Sequence, residues 1–279
     1  MAQNEDFEIQ HNAQMNAWMN GMELTVSDSG YARLSPDWNS ENVVSPFSRL
    51  YLMIEGEAVL TTDEQRVVME PGHLYLIPPG LRFNYSCRDR FTKLYFHVNI
   101  LRPDGYDLMQ GFGRIGVASV EPARIANLAA RYGSNRLADL VQVKTELYRL
   151  MDQILTEYDF ASDAMRTYSP RIQDTISYIQ ANLSARLSVE QLARRLFVSR
   201  SFLTERFRRE TGVTIGRYLD DQLMAAAQWQ LLRTGRSIGE ISESLGYCDQ
   251  FYFARRFKQL CGESPLQYRK KIRAGNHVL

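Results

Sequence analysis

The chain has 279 residues, of which 44% are hydrophobic and 23% charged, with a formal net charge of +1. This is a globular composition, which excludes disorder and collagen-like repeats. No run approaches the roughly 20 apolar residues that cross a bilayer, and the polar opening Met1–Gln10 lacks the basic stretch and apolar core of a secretory signal. Three cysteines without CxxC spacing, Cys87, Cys248 and Cys261, argue against a disulfide framework or zinc finger; a soluble cytoplasmic protein without a membrane partner is expected.

Residues 1–20 are expected to form an arm, followed by a β domain over 21–118. Within it, Arg49–Ile54, Ala58–Thr62, Gln65–Met69, Leu74–Ile77 and Arg90–Asn99 read as short strands. Polar or Pro-Gly turns separate them at Asp63-Glu64, Pro71-Gly72 and Pro78-Pro79-Gly80. Such spacing describes a small sandwich or barrel. From about Glu121 the period changes. Leu137, Leu140, Val141, Leu147, Leu150, Met151 and Ile154 recur at helical steps, giving an amphipathic helix that packs on the barrel or dimerises. A helical dimerisation region over 119–158 and a linker over 159–168 are expected.

Residues 169–279 then read as consecutive short helices. Ser169-Pro170 is a helix start, Ser188 and Gln191 form a capping box, and Ser199 caps a helix carrying Phe202, Leu203 and Phe207. That helix stops at Thr211-Gly212, and a longer one runs from about Ile215 to Leu232. The pattern recurs: Ser237 opens a helix with Ile238, Ile241 and Leu245, Gly246 turns, and Asp249 caps a helix with Phe253 and Phe257 that ends at Cys261-Gly262. Two helix-turn-helix units, about 188–209 and 237–260, are expected, so the chain is a two-domain α+β protein. Charge follows this division. Residues 169–279 carry 18 basic and 10 acidic side chains, net +8, against 15 and 22 in residues 1–168, net −7. A basic helical half beside an acidic β half suggests that the former meets a polyanion, the alternative being an ordinary solvated surface that is lopsided in charge.

The second unit, Ser237-Ile-Gly-Glu-Ile241 with Gly246–Lys258 and Gly262–Arg269, closely resembles the C-terminal signature of the AraC/XylS family of bacterial transcription regulators. In the first unit, Leu192-Ala193, Val198-Ser199, Leu203, Phe207 and Thr211-Gly212 are similar to it. Two positions depart: Phe197 stands where a small turn residue is usual, and Leu223 where an arginine is usual. The resemblance implies two readers joined by the 215–232 helix, entering major grooves one turn apart, about 34 Å. It implies that Arg200, Ser201, Thr204, Glu205 and Arg208 face DNA from the first, and Gln250, Phe251, Ala254, Arg255 and Lys258 from the second. Arginine suits guanine and glutamine suits adenine, while lysines and outer arginines anchor phosphates. A homodimer is implied, and RNA polymerase is a partner if the protein is an activator.

Gly56 and the Pro71–Gly80 segment resemble the family's cupin-like sensing domain. Metal-dependent cupins use several histidines and a carboxylate. Here only His11, His73, His97 and His277 occur, Phe83 replaces a usual histidine and no HxH is present, so no metal, no cofactor and no catalytic residues are expected. The remaining role is a pocket for a small polar effector such as a sugar. Glu55, Arg82, Tyr85, Tyr95 and His97 supply donors, acceptors and aromatic surface for it. Alternatively, the tyrosines fill the barrel, Glu55 and Arg82 face solvent and His97 is internally satisfied. Two other readings of the whole chain remain: a ligand-independent regulator whose barrel only dimerises, and a metal-dependent cupin enzyme with a DNA-binding tail.

Overall fold

The computed structural model describes residues 12–160 and 168–276 of the chain. Most of the expected arm and linker (1–11 and 161–167) therefore lies outside the described residues. Where the arm is described it is helical: α1 spans Ala13–Gly21, and the Asn12 side chain accepts from the Met15 N–H to cap it.

The β half contains β1 (Glu23–Leu34), β2 (Ser40–Val43), β3 (Ser48–Glu55), β4 (Ala58–Thr61), β5 (Arg66–Met69), β6 (His73–Ile77), β7 (Phe83–Ser86), β8 (Phe91–Leu101) and β9 (Gly116–Ser119). They form two antiparallel sheets, ordered β1-β8-β3-β6-β9 and β2-β7-β4-β5. Gly56, at φ +76, turns β3 into β4, and a Cβ there would lie 2.5 Å from the Arg90 carbonyl. The period-two alternation of strands sorts their side chains. Tyr51, Met53 and Tyr75 point between the sheets with Trp38, Phe83 and Tyr85. Leu50, Leu52, Leu94, Phe96 and Val98 point the other way, under helices α2 (Pro122–Tyr132) and α3 (Leu137–Glu157). The central strands are thus covered on both faces, which is why their sequences read as nearly unbroken apolar runs. The apolar stripe of α3 splits. Leu147, Leu150, Met151 and Ile154 are buried on the sheet, whereas Leu137 (74% exposed), Leu140 and Val141 face outward.

The helical half contains α4 (Pro170–Ala181), α5 (Val189–Arg195), α6 (Arg200–Thr211), α7 (Ile215–Arg233), α8 (Ile238–Ser244), α9 (Gln250–Cys261) and α10 (Pro265–Asn276). Reciprocal capping boxes open α5 (Ser188 with Gln191) and α8 (Ser237 with Glu240). Ser199 and Asp249 cap α6 and α9, and left-handed Gly212 and Gly262 end them. Each unit has its own core, and α7 serves both. Ile215, Tyr218 and Leu219 pack with Leu203 and Phe207, while Leu223, Ala227 and Leu231 pack with Phe253 and Phe257. Leu223 therefore fills a core position. The fold is a cupin-like β sandwich with trailing helices, followed by an all-α pair of helix-turn-helix units.

The loop after β8 joins the halves. Tyr218 Oη donates to the Asp104 carbonyl (2.6 Å), Tyr168 Oη to the buried Asp104 carboxylate (2.8 Å) and Tyr106 Oη to Asp221 (3.1 Å). Asp104 also pairs with Arg102. Farther along, Arg233 donates to the Val26 carbonyl at 2.9 Å.

The turns of the two units differ. Gly246 adopts φ +78 in the second, and a Cβ there would meet Ser184 Oγ at 2.1 Å. In the first, Phe197 is held at φ +54 with its ring 92% exposed. A non-glycine residue in this region is strained, and an exposed ring offers no burial to offset it. Phe197→Gly is therefore expected to stabilise the protein by about 1 kcal/mol, read as a higher urea midpoint at unchanged slope. A lower midpoint would show that the ring stabilises the fold.

Candidate nucleic-acid interface

Helices α6 and α9 repeat one design at a fifty-residue offset. Leu203 and Phe207 in the first, and Phe253 and Phe257 in the second, are buried at the same helical positions. Between Ser201–Gly212 and Phe251–Gly262 the sequence of buried, half-buried and exposed positions is identical. The i, i+4 spacing of the buried pair fixes one face inward, so positions i−3, i−2, i+1, i+2 and i+5 share the opposite face. In α6 these are Arg200, Ser201, Thr204, Glu205 and Arg208, which together line an open concavity of about 740 Å³ with Arg209 and Thr214. In α9 they are Gln250, Phe251, Ala254, Arg255 and Lys258, exposed except for the half-buried Ala254.

Ion pairs sort the arginines. Arg206 pairs with Glu210, which also accepts from the Ser169 N–H (2.8 Å) and Oγ (3.0 Å). These bonds hold the Glu210 carboxyl below its usual range against the opposing effect of desolvation. At the equivalent position fifty residues on, Arg256 pairs with Asp220 on α7 and donates to Gln259 at 2.9 Å. Both guanidiniums brace the recognition helices instead of facing outward. Arg200 pairs with Glu190 at 2.8 Å, but both side chains are largely exposed, so water or phosphate can replace that bond at little cost. Among the described residues, Arg208, Arg255 and Lys258 make no ion pair.

The expected effector residues are scattered. Tyr85 and His97 are buried between the sheets; Tyr95 is half-buried, its Oη donating to Asp28 at 3.4 Å. Glu55 does not join them. A register shift between Met53 and Glu55 breaks the alternation that carries Arg49, Tyr51 and Met53 inward, leaving Glu55 exposed. Arg82 is exposed and lines a cleft of about 560 Å³ between the two halves. His97 stacks on Phe47 (4.6 Å), and its Nε2 faces Arg49 Nη1 at 3.5 Å. Burial, then the charges of Arg49 and Lys93, holds its pKa well below the ordinary value, so the ring is neutral. Arg49 and Lys93 were not anticipated as interior residues, although each stands two positions from an aromatic in an otherwise apolar strand. Among the described residues no three His, Cys, Asp or Glu side chains cluster to hold a metal, and His11 and His277 lie outside them. No described helix is long and apolar enough to cross a membrane.

A helix-turn-helix domain model matches residues 192–271. The chain is 25% identical over 234 residues to the arabinose operon regulatory protein of Salmonella typhimurium, covering 79% of this chain and 82% of that protein. It is 29% identical over 234 residues to the raffinose operon transcriptional regulatory protein RafR of Pediococcus pentosaceus, covering 80% and 84%. Among solved structures, ToxT of Vibrio cholerae has a TM-score of 0.50 at 12% identity, covering 90% of this chain and 98% of that one, a likeness of fold alone. Paired recognition helices on a shared scaffold, with these relatives, define a DNA-binding transcription regulator. Over about four-fifths of its length the chain is thus similar to operon regulators of the AraC/XylS kind, and residues 192–271 are a helix-turn-helix domain.

Because Arg256 braces α9 against α7, Arg256→Met is expected to lower stability by roughly 0.5–1 kcal/mol while leaving preference among DNA sequences unchanged. Denaturation and competition binding measure the two separately; altered base preference would make Arg256 a reader.

Proposed function

We propose that the chain is a sequence-specific activator that binds its promoter as a homodimer, recruits RNA polymerase and responds to a small polar effector in its barrel. The sandwich over 21–118 senses, the helices over 119–158 dimerise, residues 159–168 tether, and residues 169–279 read DNA in the bacterial cytoplasm. The repeated exposed face of α6 and α9 carries the reading, because two equivalent faces braced on one helix suit successive turns of one duplex. The names of the arabinose and raffinose operon regulators support a sugar-related effector. Leu137, Leu140 and Val141 on α3, with Tyr148 at their edge, form the apolar surface that a second copy would cover.

On this reading Arg255 touches a base edge and Lys258 a phosphate. Arg255→Ala should narrow the affinity gap between promoter and mismatched DNA by about 1–3 kcal/mol; Lys258→Ala should weaken all sequences alike and reduce the salt slope by about 1. Fluorescence anisotropy across a salt series separates them, and equal effects on every sequence from both changes would remove the base-reading role. In sedimentation equilibrium, Leu140→Glu should raise the dimer dissociation constant at least about tenfold, the effect of some 1.4 kcal/mol. An unchanged constant would place the dimer contact elsewhere.

A further inference from the structure

Buried charged side chains are ordinarily paired, because leaving water without a counter-charge is strongly unfavourable. The barrel interior holds two that are not. Lys93 on β8 is 3% exposed, and its Nζ lies 3.5 Å from the centroid of the Tyr51 ring and 4.2 Å from that of Trp38. Arg49 on β3 is 2% exposed. Its Nε donates to Ser45 Oγ (2.9 Å) and its Nη1 to Tyr51 Oη (3.1 Å), while Nη2 is buried with no partner. Tyr51 thus sits between both cations. Among the described residues no carboxylate pairs with either; Asp28, at 3.5 Å, faces His97 Nδ1. The rings offset only part of an ammonium's lost hydration.

We propose that the barrel's effector is an organic monocarboxylate, its charge taken by Arg49 Nη2 and Lys93 Nζ and its body lying against Tyr51, Trp38 and Tyr85. This rests on the reading of the barrel as an effector domain and replaces a neutral sugar with an anion as its ligand. A guanidinium edge matches a planar carboxylate, and charge-assisted bonds of this kind are the strong ones. Burial, followed by the charge of Arg49, holds the Lys93 ammonium well below its ordinary pKa, leaving Arg49 as the permanent interior charge. One unpartnered guanidinium nitrogen and one amine match the two oxygens of a carboxylate more closely than the three of a phosphate. The cleft between the halves lies beside this site. Ser45, the acceptor for Arg49 Nε, also lines the cleft between the halves together with Asn99 and the exposed Arg82, whose charge draws anions toward its mouth.

Thermal unfolding of the full chain tests the proposal. Monocarboxylates, with gluconate, glucuronate and benzoate among them, are compared with glucose, arabinose and benzamide as neutral counterparts and with glucose 6-phosphate. At saturation a carboxylate should raise Tm by roughly 5 °C, and its neutral counterpart should not. Lys93→Met and Arg49→Met should each abolish the shift. Without ligand, Lys93→Met should unfold cooperatively at a Tm equal to or above that of the unaltered chain, since a buried amine without a counter-charge has gone. Should that variant fail to fold, Lys93→Gln carries the same expectation of a lost shift. A shift retained in these variants, a phosphate ester as the sole stabiliser, or a ligand-free Lys93→Met melting several degrees lower would overturn the proposal. If only neutral sugars stabilise, the anion assignment fails and the effector reading stands. If no compound stabilises, both fail.

Discussion

The reading half depends on a single covalent strut. Helix α7 contributes Ile215, Tyr218 and Leu219 to the core of the first unit and Leu223, Ala227 and Leu231 to that of the second. Its 19 residues span about 28 Å, commensurate with a turn of B-DNA. Two small cores built on opposite ends of one helix cannot rotate independently without unpacking a face of it. Spacing between the readers is therefore a property of helix geometry, independent of linker length. Arg256 on Asp220 strengthens the same joint from α9, and Leu223 adds to it a buried side chain in the second core.

Much of this half was legible in the sequence because its signals are local. Capping residues, left-handed glycines and the i, i+4 spacing of Leu203 with Phe207 or Phe253 with Phe257 act within one or two turns of chain. They place helices without reference to distant partners. Phe197 is the informative exception: it keeps the left-handed turn that glycine makes at 246, so the turn is imposed by the helices around it and not by its own residue. Which arginines face outward was not legible, since Arg206 and Arg256 are distinguished from Arg208 and Arg255 only by carboxylates on neighbouring turns and helices.

The sandwich was read less completely, for equally physical reasons. Strands β3, β4, β5, β6 and β8 are apolar enough to announce themselves. Strand β1 carries Ser27, Asp28, Ser29 and Gly30, and becomes a strand by pairing along β8, with Gly30 leaving room for the Tyr95 ring. Glu55 stands at the inward parity of Arg49, Tyr51 and Met53, and of the two orientations its sequence left open the exposed one is set by a register shift that no single strand encodes. Lys93 is the reverse case: a lysine between apolar neighbours is ordinarily solvated, and only the second sheet closing over it makes it interior. The cupin-like class was recoverable; the chemistry of its interior required the fold.

Strand β8 runs from Lys93 through His97 and Asn99 to Leu101, and the loop that follows carries Arg102 and Asp104 out of the sandwich to meet Tyr218 on the strut. Asn99 is itself tied to Asp107 across the same loop at 2.8 Å. The protein thus places a push-rod between its sandwich and its axle: only four residues, Ile100 to Pro103, lie between Asn99 and Asp104, the first two still in strand β8, which leaves little slack to absorb a displacement. Whatever reshapes the inner wall of the sandwich must either be resisted by the whole sheet or be delivered, nearly undiminished, to the helix that sets the stride of the two DNA readers.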